Sequence, residues 1–168
     1  MTRFHVARRL LAGSYGGIAG AVYGTIMVMA TLVAGSTAEP DPTRLAAIVA
    51  TTVLVLWAAH VYAHGLAESI DLGRRLDGAE LRSIASRELS IPLAAVPPVV
   101  ALLLGAVGLL RETRAVWLAM GLGVVTLAVQ GLRYARVEKL GRTGTLVAVA
   151  INLALGLALV ALKALVAH

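Results

Sequence analysis

The side chains best equipped for chemistry lie in one stretch, WAAHVYAHGLAESIDLGRR, residues 57–75. On a helix, His60, His64 and Glu68 fall at i, i+4 and i+8, with Trp57 one turn before them. Asp71 and Arg75 continue the same broad face. Imidazoles as a class exchange protons near neutral pH and are common ligands of divalent metals, so such a stripe suits a proton relay or a cation site. In that reading His60 and His64 bind or relay the ion, and Glu68 and Asp71 draw it to the mouth. Two histidines do not close a metal site, so further ligands would have to come from elsewhere in the chain or from a second subunit. The plainer alternative makes both histidines neutral hydrogen-bonding groups within a bundle, with the acids and arginines as interfacial anchors.

What must position these residues is a set of membrane helices. The 168-residue chain is 59% hydrophobic and 14% charged, with a mean hydropathy of +0.86. Soluble domains are less apolar and carry nearly twice the charge. Runs of about 20 apolar residues, enough to cross a bilayer core, are expected at 10–35, 45–67, 91–110, 115–132 and 145–166. The fold class expected is an all-α polytopic membrane protein, a bundle of five transmembrane helices forming a single domain. TRFHVARR supplies a positive segment before the first run, but that run is longer than a signal core, so an uncleaved first span is expected.

Orientation follows from the basic residues. Arg3, Arg8, Arg9, Arg74, Arg75, Arg82, Arg87, Arg133, Arg136, Lys139 and Arg142 fall on one side, against Arg44, Arg111, Arg114 and Lys163 on the other. This imbalance puts the N-terminus inside and the C-terminus outside. Between spans two and three, DGAELRSIASRELSIP has Asp77 as an N-cap and Glu80 three residues on, the spacing of a capping box. Leu81, Ile84, Ala85 and Leu89 recur at helical spacing, which predicts a short amphipathic helix on the cytoplasmic face.

Other polar groups share the depth of the histidines. Tyr23, Tyr62, Gln130 and Asn152, with the Pro97–Pro98 pair that would interrupt span three, are expected to line a polar pocket open to the cytoplasm. Gly16, Gly20 and Gly24 form a small-residue ridge for close helix packing or a homodimer seam.

The charge of +6 is carried by short loops, which argues against a nucleic-acid partner. The absence of cysteine removes disulfides and thiolate sites. No P-loop, GxGxxG, HExxH or serine elbow is present, and no nucleophile–base pair stands at a recognisable spacing, so no enzyme is expected. Richness in Arg, Ala, Leu and Val hints at a GC-rich bacterial genome and hence an inner-membrane location.

YGTIMVMATLVAG (23–35) and AAHVYAHGLAES (58–69) resemble two segments of the vacuolar iron transporter family. That family also has five spans, an inside N-terminus, an outside C-terminus and a helical cytoplasmic element after span two. Gly24 and Tyr62 match its motif positions. Tyr23 stands where the family has Asp, Val61 where it has Glu, and the long Glu-rich metal-collecting region is lacking. The resemblance implies an altered site, with His60 and His64 in place of carboxylates and a different selectivity.

These features together predict an ion transporter or channel for a divalent metal or protons. It would act as a homo-oligomer, a dimer being favoured, and a metal would be substrate rather than resident cofactor. The alternative is an accessory or scaffold protein packed beside a larger membrane partner.

Overall fold

Inside a bilayer the backbone can satisfy its own hydrogen bonds only in helices or closed barrels, and the apolar runs of this chain form helices, the third of them broken. A computed structural model describes the backbone of residues 2–35 and 41–166, and the side chains of 17–35 and 41–165. There are no strands among the described residues. The elements are α1 (Thr2–Gly35), α2 (Pro42–Leu72), α3 (Gly78–Arg87), α4 (Ser90–Leu93), α5 (Val96–Ala106), α6 (Glu112–Val137) and α7 (Arg142–Val166). Among the described residues four helices are long and apolar enough to span a membrane, and five spans result if the bent pair Gly78–Leu93 and Val96–Ala106 counts as one.

The third expected span differs most from expectation. It is not one straight helix over 91–110, because α4 and α5 are separate, with α5 only 11 residues long and a 49° bend in the pair. The prolines sit in the first turn of α5 rather than interrupting a helix. The amides of a first turn have no intrahelical partner, so proline loses nothing there. The other helices overrun their apolar cores, since polar ends continue the helix into water. At the start of α2, Asp41 Oδ1 accepts from the amides of Thr43 (2.9 Å) and Arg44 (3.2 Å), and Pro42 follows as first residue.

Close contacts fix the helix directions. A Cβ on Gly35 would meet Leu45 Cδ2 at 2.7 Å, and one on Gly105 would meet Ala115 Cβ at 2.6 Å and Pro42 Cγ at 3.2 Å. The end of α1, the start of α2, the end of α5 and the start of α6 therefore meet at one end of the bundle. The end of α2, the end of α6 and the start of α7 lie at the other. Met29, Leu32, Val49, Leu102, Met120 and Leu127 are fully buried between them.

Gly20 and Gly24 are filled from within the chain. A Cβ on Gly20 would strike Ser90 Oγ, and one on Gly24 would lie 2.7 Å from the Ile91 carbonyl oxygen and 3.3 Å from Ala94 Cβ. The ridge thus admits α4, and the face from Gly20 to Gly24 is taken before a second copy could use it. Gly16 belongs to α1 but lies outside the residues whose surroundings are described.

Candidate functional site

Gly73, with φ of 63°, ends α2 in the left-handed conformation that glycine tolerates best, and the chain turns back. The expected capping box then starts α3. Glu80 N–H donates to Asp77 Oδ1 (2.8 Å), and Asp77 N–H donates to Glu80 Oε2 (2.9 Å). Arg74 grips the same carboxylate with both terminal nitrogens, at 3.0 and 2.6 Å. That bidentate bond, helped by the Asp77 amide, holds the Glu80 carboxyl down to about 2. The hydrophobic stripe then lays α3 along α2. Ile84 is buried, and Gly65 leaves room for Leu81 and Ile84. Leu81 and Leu89, from the same stripe, remain more than 40% exposed.

Folding α3 back brings three contacts to the chemical stretch of α2. Trp57 Nε1–H donates to the Ala85 carbonyl at 3.1 Å. His64 Nδ1 lies 2.9 Å from Glu88 Oε1. Arg87 Nη2 donates to Glu68 Oε2 at 3.3 Å. One turn up from His64, His60 Nδ1 donates to the Leu56 carbonyl at 3.1 Å, and its ring packs on Tyr23 of α1 with centroids 5.2 Å apart. The two imidazoles meet edge to face at 6.2 Å.

Both Nδ1 atoms face acceptors, since a carbonyl or carboxylate oxygen only accepts, so each Nδ1 carries a hydrogen. Tyr23, His60, His64 and Glu88 form a series of protonatable groups running from between α1 and α2 toward the α2 C-terminal end.

A metal fits less well. Two imidazoles on one tetrahedral ion, with metal–nitrogen bonds near 2.0 Å, would bring their ring centres to roughly 5 Å. The observed separation is larger, and no group of three His, Asp or Glu that could hold a metal occurs among the described residues.

The other expected residues are distributed differently. Asp71 is exposed in the last turns of α2 and outside the network. Tyr62 is 71% exposed. Pro97 and Pro98 form the start of α5. Gln130 accepts from Arg133 at 3.2 Å, and Asn152 Nδ2 donates to the Ala148 carbonyl at 3.0 Å, close to Gly131 across the α6–α7 seam. Met29 packs on Gly123, so Tyr23, six residues earlier on α1, comes level with residue 129 on antiparallel α6. Equal depth is not a shared pocket, because these residues belong to different seams. The cavity between α2 and α5, about 240 Å³, has only apolar walls, among them Val53, Leu54, Pro92, Ala95 and Val99. None of Tyr23, Tyr62, Pro97, Pro98, Gln130 or Asn152 lines it.

Glu88 is the residue that sequence reasoning passed over, as an off-stripe charge on an amphipathic helix. Its partnership with His64 depends on the turn at Gly73 and the docking of Ile84, neither of which sets a fixed spacing from residue 64. No family model matches the chain, and comparisons with curated proteins and with solved structures returned no match.

Proposed function

We propose that this chain is a small multi-pass membrane transporter or channel in which Tyr23, His60, His64 and Glu88 carry protons to or from the α2 C-terminal end. The observation that carries the reading is the contact series of 5.2, 6.2 and 2.9 Å through these four side chains. Ionisable groups on apolar helices are costly, and they mark ion and proton paths more often than packing. The excess of Arg and Lys at this end supports placing it, with the N-terminus, in the cytoplasm. The 6.2 Å separation of the two imidazoles and the lack of a third ligand among the described residues favour protons over a divalent metal as cargo.

The test is purified protein in liposomes loaded with a pH-sensitive dye, under an imposed pH gradient. Wild-type protein should dissipate the gradient. His60→Ala/His64→Ala should fall to the rate of empty liposomes while keeping its size-exclusion profile. Unchanged flux in the double variant would sink the proposal.

A second reading draws on α7. Its apolar window is 11% buried, against 44% for those of α1 and α6, so most of its surface is open to lipid or to a larger partner. An accessory protein would show no flux of its own, and photo-crosslinkers on exposed positions of α7 would capture one defined membrane partner.

A further inference from the structure

Three cations are concentrated on the short connection between α6 and α7. Arg136 is in the last turn of α6, Lys139 lies in the connection, and Arg142 opens α7. All three are exposed. The ion pairs among the described residues fall elsewhere, joining His64 to Glu88, Arg74 to Glu80 and Arg87 to Glu68. The one acid between Arg136 and Arg142 is Glu138.

Two further costs are built into this connection. Lys139 has φ of 53°, and it is the one non-glycine residue with positive φ among those described. A side chain there is strained where glycine would not be, yet Gly141 stands two residues further on. Arg142 adds a cation at a helix start, the end where the peptide dipoles disfavour positive charge. The like charges, one of them at a helix start, are best compensated by an anion from outside the chain.

Depth identifies that anion. Between Arg114 and Arg133 α6 carries no charged residue, a stretch of about 28 Å at helical rise, close to the thickness of a hydrocarbon core. Arg133 therefore marks one edge of the core. Arg136, about 4.5 Å further along the axis, reaches the headgroup layer. Exposed Tyr134 sits where interfacial aromatic residues sit.

We infer that the 136–142 connection binds the phosphate-bearing headgroup of an anionic glycerophospholipid. The inference is independent of proton transport and of which leaflet the connection faces.

The experiment is a thermal-shift titration of the full chain in neutral detergent with phosphatidylglycerol, and in parallel with phosphatidylcholine. The variants are Arg136→Gln/Lys139→Gln/Arg142→Gln and, at the opposite end, Arg44→Gln/Arg111→Gln/Arg114→Gln. A saturable shift with phosphatidylglycerol is expected for wild type and for the opposite-end variant. Because each basic residue near an anionic surface contributes roughly fivefold, the 136–142 variant should bind at least tenfold more weakly. Should it fail to fold, Lys139→Gly removes one charge while relaxing the backbone, and it should bind several-fold more weakly. An equal shift with phosphatidylcholine, or undiminished affinity in these variants, overturns the inference. Displacement of the lipid by inorganic phosphate at matched ionic strength would also overturn it, by showing a site for free phosphate.

Discussion

At the scale of single residues, the hydrogen bonds of His60 and His64 matter more than their spacing. The i, i+4 pattern was visible in the sequence, but the direction of each ring nitrogen was not, because one acceptor is a helix carbonyl and the other is Glu88, 24 positions away. Local chemistry was far more legible. Asp77 and Glu80 cap α3 as their spacing predicts, since both partners lie within one turn. The pH response of that junction follows from its carboxylate. The Glu80 carboxyl is depressed in the folded chain, so its contribution is complete above 4.5, the value of a free glutamate, and declines as pH falls below that until it is gone below about 2. Carboxyl NMR of the protein in micelles should place the Glu80 midpoint near that value, and Arg74→Gln should raise it. A normal glutamate midpoint in the unsubstituted protein would refute the bidentate pairing. Lys139→Gly should stabilise the fold by about 1 kcal/mol through relief of the left-handed backbone, partly offset by the freedom glycine gains when unfolded. A lowered melting temperature would contradict this.

At the scale of elements, four of the apolar runs became helices because a run of that length in lipid has one solution. The glycine ridge was legible as a place of close approach, but its occupant was not. A four-residue helix between two breaks, α4, has no periodicity to announce it. Its backbone lies against Gly24 so closely that even one methyl must displace the Ile91 carbonyl. Gly24→Ala should therefore cost on the order of 1–3 kcal/mol, the usual penalty of overpacking, whereas Gly121→Ala, with open space around it, should not destabilise. Equal melting temperatures for the two variants would show that the ridge is not tightly packed. The prolines mislead for a related reason. Pro97 and Pro98 signal a break, and the sequence does not say whether the break falls inside a helix or before one.

At the scale of the molecule, the helix ends align into two levels, with charge concentrated on one. The 31 residues of α2 extend about 46 Å at helical rise, against about 30 Å of hydrocarbon, so roughly half of the difference or more projects as a stem carrying α3. His64, four residues beyond His60, comes level with Arg133, and in the membrane placement inferred above that is the edge of the core, where ionisable groups cost less than at the centre. Since the chain has no cysteine, single substitutions can map these levels cleanly. Thr126→Cys should resist a membrane-impermeant maleimide in intact liposomes, and Leu140→Cys should react with it. Reaction of both would displace the core assigned to α6.

The shortness of α5 has a consequence for how the protein is made. Its 11 residues reach about 16 Å, half of a bilayer core, and a segment so short cannot partition stably by itself. At Gly105 it packs against Ala115 of α6 and Pro42 of α2. As the chain leaves the ribosome, α5 is therefore expected to enter the membrane together with α6, as a hairpin. Nascent chains halted after residue 110 should leave α5 extractable by alkaline carbonate, while chains extended past residue 137 should hold it in the membrane.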